Sequence, residues 1–192
     1  DSEVGFMDGL NRLLGGALQR RSAAVKSAPN RDAYYDDFIR NKVYYEVNRL
    51  LQEEGRSLDL PDEEVRKLGL AGGLMARIAK VDRTVSDEEL NAMFSLLEEH
   101  WTLAPEAAAF VANVAVSSLD ANYDYYRMTR EFATSTTLEE RQGFLDALFV
   151  SAGADKDVSF EETEEIRLVS RGINVTHQDF IDAKLKAKSN QG

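Results

Sequence analysis

The chain has 192 residues, of which 43% are hydrophobic and 30% charged, and it carries a formal net charge of −11. This composition is typical of a globular protein and excludes global disorder. No apolar run reaches the roughly 18 residues that a transmembrane helix needs. The absence of cysteine excludes disulfides and thiolate metal sites, and it fits a reducing compartment. We therefore expect a cytoplasmic protein, with association to a membrane surface as an open alternative.

The charge is distributed unevenly along the chain. Residues 1–57 carry nine Lys/Arg and nine Asp/Glu, whereas residues 58–192 carry 14 Lys/Arg against 25 Asp/Glu, which accounts for the whole net charge. Because an acidic surface repels a phosphate backbone, the composition argues against nucleic-acid binding and favours cations or basic partners. We predict an N-terminal helical extension over 1–57 and a helical domain over 58–192, packed as one compact unit.

The extension contains two predicted helices. Residues 4–26 have apolar positions at helical spacing, and two interpretations are open: a helix that contacts a membrane surface or a partner, or a helix that packs on the main body. We favour packing, because the polar face is not notably basic, as membrane-surface helices usually are. A second, long helix is predicted from Asp32 to Glu54, with Gly55 as its stop.

The rest of the chain has the period of helices and no convincing alternating strand pattern. The predicted helices begin at Pro61-Asp62 and continue through Val81, then cover Leu90 to His100, Ala107 to Leu119, Tyr123 to Ala133, Leu138 to Ala152, Glu161 to Ser170 and about Gln178 to Lys186. The predicted fold class is all-α, a bundle of seven to nine helices. Gly69, Gly72 and Gly73 are predicted to let a neighbouring helix approach closely.

One acidic segment occurs twice. The sequence Asp-basic-X-Val-Ser-X-Glu-Glu begins at Asp82 and again at Asp155, 73 positions later, and each copy lies between two predicted helices. An internal repeat of this kind indicates a repeated supersecondary unit. We call the two copies, residues 82–89 and 155–162, the first and second acidic turns. They predict two pseudo-symmetric helix-turn-helix halves.

Helix capping explains part of each acidic turn. Ser86 with Glu89, and Ser159 with Glu162, fit the S-x-x-E capping box, in which the serine side chain accepts from the N3 amide and the glutamate accepts from the serine amide. In the first copy Val85 and Leu90 are also placed for a hydrophobic staple. In the second copy Thr163 replaces that leucine.

Capping does not explain the aspartates. Asp82 and Asp155 follow the preceding helix, where a negative charge opposes the carbonyl end of the helix dipole. Either each aspartate bonds the amides of its own turn, or a cation compensates it, and hard divalent cations take carboxylate oxygens. The candidate metal ligands are Asp82, Glu89, Asp155 and Glu162, with Asp157, Glu88 and Glu161 as secondary candidates.

A comparison with the EF-hand calcium loop limits the metal hypothesis. The second acidic turn overlays the second half of such a loop, but Lys156 stands where the loop has its invariant glycine, and Arg83 stands there in the first copy. Neither copy alone supplies a complete ligand set. A tight site for Ca²⁺ or another divalent cation would therefore combine ligands from both turns.

The ordered pair of acidic turns, with Leu138-Glu139-Glu140-Arg141 between them, resembles the tellurite-resistance TerB-like family over about residues 62–187. The resemblance implies an all-helical fold with two pseudo-symmetric halves and an acidic metal-binding patch. It also implies a role in stress and tellurite resistance, often at or near the membrane within larger assemblies. The family's acidic positions fall on Asp82, Glu89, Asp155 and Glu162. Its usual Asp-Gly is replaced here by Asp82-Arg83 and Asp155-Lys156.

Signals for catalysis are missing from the sequence. There is no nucleophile motif, phosphate loop or cofactor fingerprint, and His100 and His177 occupy non-equivalent places in the repeat. We predict a non-enzymatic module that binds a Ca²⁺-like divalent cation through both acidic turns and docks onto other proteins. The main alternative is a metal-free scaffold whose acidic face binds a basic protein partner. A metal-dependent hydrolase would need an open coordination position and an apolar pocket beside the turns, for which the sequence gives no sign.

Overall fold

The computed structural model describes residues 37–79, 92, 95, 97–99, 101–118, 124–153 and 158–190, and every regular element in these ranges is helical. The predicted all-α class is therefore confirmed. A π-helical segment covers Phe38–Tyr44, and it is followed by α1 Tyr45–Gln52, α2 Asp62–Ala79, α3 Pro105–Ser117, α4 Tyr125–Ser135, α5 Leu138–Ala152, α6 Phe160–Gly172 and α7 His177–Ser189.

The predicted and observed helix ends agree closely in the second half of the chain. Helix α5 has the predicted bounds, whereas α4 begins at Tyr125, later than predicted. The reason is its N-cap, Asp124, whose side chain accepts a hydrogen bond from the Arg127 amide and so satisfies a free amide of the first turn. Helix α7 extends further at its C-terminal end than the pattern indicated.

The long helix predicted from Asp32 to Glu54 differs in geometry over its described part. Its buried side chains recur every four residues, at Ile39, Val43, Val47 and Leu51. In an α-helix a spacing of four advances about 40° beyond a full turn, so such a row drifts around the helix. The wider turn of the π-helical segment reduces this drift, and the row stays on one side against α2 and α3.

Helices α2 and α3 form the centre of the bundle. Residues 68–76 of α2 and residues 107–117 of α3 are buried on every side. Helix α2 contacts the π-helical segment and helices α3, α4, α5 and α6. A helix that is apolar around its whole circumference belongs in the core, and these two are rich in alanine, glycine, valine and leucine. We call α2 and α3 the central pair.

Glycine sets the distance between the central helices. A Cβ atom placed on Gly72 would lie 2.7 Å from the Cβ of Val114 and 2.8 Å from the carbonyl oxygen of Val111, both on α3. A Cβ atom on Gly69 would lie 2.6 Å from Cδ1 of Ile39. The predicted close approach is therefore confirmed at these two positions.

An aromatic cluster fixes the link before α3 to the outer helices. Phe132 and Phe144 have ring centroids 4.8 Å apart, and the Trp101 ring lies 5.8 Å from that of Phe144. The indole N–H of Trp101 donates to the carbonyl oxygen of Glu140 over 3.1 Å, so the polar atom of this half-buried ring is satisfied. Within the described residues, no helix combines the length and apolarity that crossing a membrane requires.

Candidate functional site at the acidic turns

The described residues include only part of the predicted site. Glu161 and Glu162 lie on the first turn of α6. The remaining candidates lie outside the described residues: Asp82, Glu88, Glu89, Asp155 and Asp157, together with Arg83, Lys156 and His100. Residues 4–26 also lie outside them. The structure therefore reports on the C-terminal flank of the second acidic turn.

Two helices enclose the second acidic turn, as the repeat predicts. Helix α5 ends at Ala152, and its C-cap Gly153 donates its amide to the carbonyl oxygen of Phe149 over 3.1 Å. Helix α6 begins at Phe160 with Ser159 as its N-cap. The residues between these two caps thus connect the C-terminal end of α5, where carbonyl oxygens are free, to the N-terminal end of α6, where amides are free. The N-terminal end of a helix attracts negative charge.

The predicted capping box of the second turn is present. The Ser159 hydroxyl oxygen accepts from the Glu162 amide over 3.1 Å, and the Ser159 amide donates to Oε2 of Glu162 over 2.9 Å. Thr163 takes the place of the staple leucine, and its hydroxyl donates to the Ser159 carbonyl oxygen over 2.9 Å. Thr163 thus supplies a local hydrogen bond at the position where the first copy has leucine.

Burial separates the two glutamates of this turn. Glu161 is exposed, whereas only 2% of the Glu162 surface is accessible to solvent. A buried carboxylate is costly unless it is hydrogen-bonded or paired, and the Ser159 amide and the α6 dipole supply part of this compensation. Each carboxylate oxygen has two lone pairs, so a capping hydrogen bond and ligation of a cation are compatible.

The described residues do not complete a metal site by themselves. They contain no group of three or more His, Cys, Asp or Glu side chains placed to hold an ion. Because Ca²⁺ takes about six to eight oxygen ligands, Glu162 would have to act with side chains or carbonyls from the parts of both acidic turns that lie outside the described residues.

Two capping boxes were missed by the sequence reasoning. Thr137 and Glu140 cap α5, and Thr176 and Asp179 cap α7. The signal was present in both cases, because each has a threonine followed three residues later by an acid. In the structure helices α5, α6 and α7 all begin with such a box.

The Glu140 carboxylate has a second function. Its Oε2 accepts from Nζ of Lys67 on α2 over 2.7 Å, while Lys67 also contacts Glu64 at 3.0 Å. Burial by itself raises the pKa of Glu140, but the hydrogen bonds from Lys67 and from the Thr137 amide outweigh it and hold this pKa below its ordinary value. The capping glutamate of α5 thus also links α5 to α2 of the central pair through Lys67.

A groove lies beside the second acidic turn, between the N-terminal half of α6 and the C-terminal half of α7. Its volume is about 650 Å³. Apolar and charged side chains from α5, α6, α7 and the second acidic turn line it: Phe149, Val158, Phe160, Thr163, Glu164, Arg167, Lys184, Ala187 and Lys188. Sequence reasoning did not identify this groove, because it depends on how α6 and α7 pack. We call it the α6–α7 groove.

His177 lies at the start of α7 and is exposed. Its ring stacks on Phe180 with centroids 6.0 Å apart. His177 is therefore a surface residue whose ring packs on Phe180.

The described part of the chain is a helical bundle built around a buried central pair, with a capping box at the end of the second acidic turn. The sequence matches the family of the tellurite resistance protein TerB over residues 67–185, which is more than half of the chain, and the protein belongs to that family. The matched range includes both acidic turns, while residues 1–57 lie outside it. Comparison with curated proteins and with solved structures gave no match.

Proposed function

We propose that this TerB-family protein is a non-enzymatic, cytoplasmic module that binds a Ca²⁺-like divalent cation through both acidic turns and docks onto other proteins in stress or tellurite resistance. The support for the cation is the repeat itself. An aspartate and a glutamate seven residues apart occur twice, at Asp82 and Glu89 and at Asp155 and Glu162. Both pairs lie within the range that matches the family.

The observation that carries the proposal is the burial of Glu162. This carboxylate is 2% exposed and is held by the Ser159 amide at the entrance of α6. A carboxylate that is fixed and desolvated before a cation arrives loses little conformational entropy on binding. Glu162 is therefore suited to be one ligand of a site shared between the two turns.

The basic residues beside the aspartates favour a second candidate function. Arg83 and Lys156 directly follow Asp82 and Asp155, and each can neutralise its neighbour without a metal. In that case the capping box accounts for Glu162, and the acidic surface of residues 58–192 binds a basic protein partner instead.

Calorimetric titration of the full chain with CaCl₂ tests the metal site. We expect binding heat that disappears in the double variant Asp82→Asn/Asp155→Asn, because it removes one ligand from each turn. The matched control is Asp59→Asn/Asp182→Asn, which makes the same change in net charge at two exposed aspartates and should retain the heat. Full binding by the Asp82→Asn/Asp155→Asn protein would show that the ligands are assigned wrongly.

Thermal unfolding in Ca²⁺ and in chelator separates the two candidate functions. A cation that binds only the folded state raises the unfolding free energy by about 2.7 kcal/mol when its concentration is about 100 times Kd. We expect a higher Tm in Ca²⁺ than in chelator. Equal values of Tm would support the metal-free scaffold.

A further inference from the structure

The α6–α7 groove combines an apolar floor with an exposed aromatic side chain. Phe149 and Ala187 are buried at its base, and Val158 packs against the core beside them. Phe160 is 75% exposed although it is the first residue of α6. A large exposed aromatic beside a recessed apolar floor is an arrangement typical of a binding surface.

The rim of the groove is positive. Arg167, Lys184 and Lys188 line it against a single acid, Glu164, which lies 3.4 Å from the Arg167 guanidinium. Neither Lys184 nor Lys188 forms an ion pair with another described residue. On the same helix, Lys186 lies outside the groove and pairs with Asp146 at 3.1 Å. A positive rim on a chain of net charge −11 marks this surface for an anionic ligand.

The dimensions fit a short helix. The groove follows α6 from Phe160 to Arg167, which is about 10 Å along the helix axis at 1.5 Å per residue. An amphipathic helix of two to three turns can place its apolar face in such a groove and present its flanks to the rim. Its volume of about 650 Å³ also lies within the range of small-ligand and peptide sites.

We propose that the α6–α7 groove binds an acidic amphipathic segment of a partner protein. Apolar side chains of the segment contact Phe160 and the floor, and its carboxylates face Lys184 and Lys188. This rests on the docking part of the proposed function and identifies the chemistry of the partner. It is independent of the metal part, because none of its contacts uses the acidic ligands.

Two other anionic partners fit the groove less well. A nucleic acid carries many more negative charges than a short peptide, and the net charge of −11 on the chain opposes its binding. A bilayer binds a set of apolar groups that project into it, whereas Phe160 is the one exposed apolar side chain among the described residues that line the groove, and Phe149 and Ala187 lie buried at its base.

The test uses two synthetic, fluorescently labelled 12-residue peptides and the full chain. One peptide has leucine at positions 1, 4, 5 and 8 and glutamate on the flanks, and its twin has lysine at every glutamate position. We expect the glutamate peptide to bind, measured by fluorescence anisotropy, and the lysine peptide to bind at least about tenfold more weakly.

The matched variants are Lys184→Glu/Lys188→Glu in the groove and Lys42→Glu/Arg130→Glu on other helices, all at exposed or half-exposed positions. Both pairs change the net charge equally. The groove variant should weaken binding of the glutamate peptide about tenfold, and the control should leave it within about twofold. Phe160→Ala should weaken it by a similar factor while leaving Tm unchanged, because the side chain is exposed.

Three results would overturn the proposal: equal binding of the two peptides, loss of binding in the control as large as in the groove variant, or binding to phosphatidylglycerol vesicles without binding to the glutamate peptide. Running the titrations in Ca²⁺ and in chelator separates this proposal from the metal site. Peptide binding in chelator supports the groove even if calorimetry shows no bound Ca²⁺, and a Ca²⁺ site without peptide binding refutes the groove alone.

Discussion

The central pair differs from helices α6 and α7 in how much of its surface is buried. Helices α2 and α3 bury long stretches on every side and meet at Gly72 without room for a side chain. Helices α6 and α7 bury one face only, begin with capping boxes and expose charged side chains along a groove. The first region packs against neighbours on every side, whereas the second buries only one face, which includes Ile166, Val169 and Phe180, and leaves its other face exposed. The second region can therefore present functional groups without losing the fold.

Substituting Gly72 should have the largest effect, because it acts at the closest contact of the central pair. Gly72→Val would drive its side chain into Val114 and the Val111 carbonyl of α3, and we expect a loss of about 3 kcal/mol in unfolding free energy. Gly72→Ala should lose less, since alanine gains up to about 1 kcal/mol of helix propensity over glycine. Urea denaturation measures both. If the valine variant were as stable as the parent, close packing at Gly72 would not determine the distance between α2 and α3.

The capping box of α6 should have a moderate effect. Ser159→Ala removes the side-chain acceptor of the Glu162 amide and should lower the unfolding free energy by about 1 kcal/mol. Glu162→Gln keeps an oxygen for the Ser159 amide but removes the charge, so it should cost less than the alanine variant in chelator. In Ca²⁺ Glu162→Gln should lower the unfolding free energy more than Ser159→Ala does, if Glu162 is a ligand. An unchanged order in the two conditions would assign Glu162 to capping alone.

The smallest effect is expected at the ion pair that links α5 to the central pair. The pKa of Glu140 lies below its ordinary value of 4.5 in the folded protein. Its contribution to stability is therefore present above that ordinary value and is lost as the pH falls through the folded pKa. Glu140→Gln keeps the capping oxygen and should lower stability by less than about 1 kcal/mol near neutral pH. This difference should disappear once the pH lies below the folded pKa of Glu140.

Measuring the Tm of the parent and of Glu140→Gln as a function of pH also tests the role of Lys67. Burial by itself lowers the pKa of Lys67, but its hydrogen bonds to Glu140 and Glu64 outweigh burial and raise it. Its contribution is thus already present at acidic and neutral pH, so the acid transition reports on Glu140. A difference in Tm between the parent and Glu140→Gln that persists at low pH would contradict this assignment.

Sequence patterns predicted the second half of the fold well because its signals are local. The capping box of Ser159 and Glu162 was expected, and the boxes at Thr137 and Thr176 followed the same rule but were overlooked. The π-helical segment was not predicted, since a spacing of four residues is compatible with an α-helix until the neighbours of Ile39 and Val43 are known. The predicted division of the chain at residues 57 and 58, and the metal ligands, remain predictions.

The sequence alone determined the all-α class, the family and the repeated acidic turn, because helical periodicity, capping chemistry and motif order are properties of neighbouring residues. The tertiary structure decided which of these residues are buried. Glu161 and Glu162 are adjacent and chemically identical, yet only Glu162 is enclosed by the fold. The α6–α7 groove likewise exists only because α6 and α7 pack beside Phe149 of α5, since side chains on separate helices acquire a common surface only when their helices are packed.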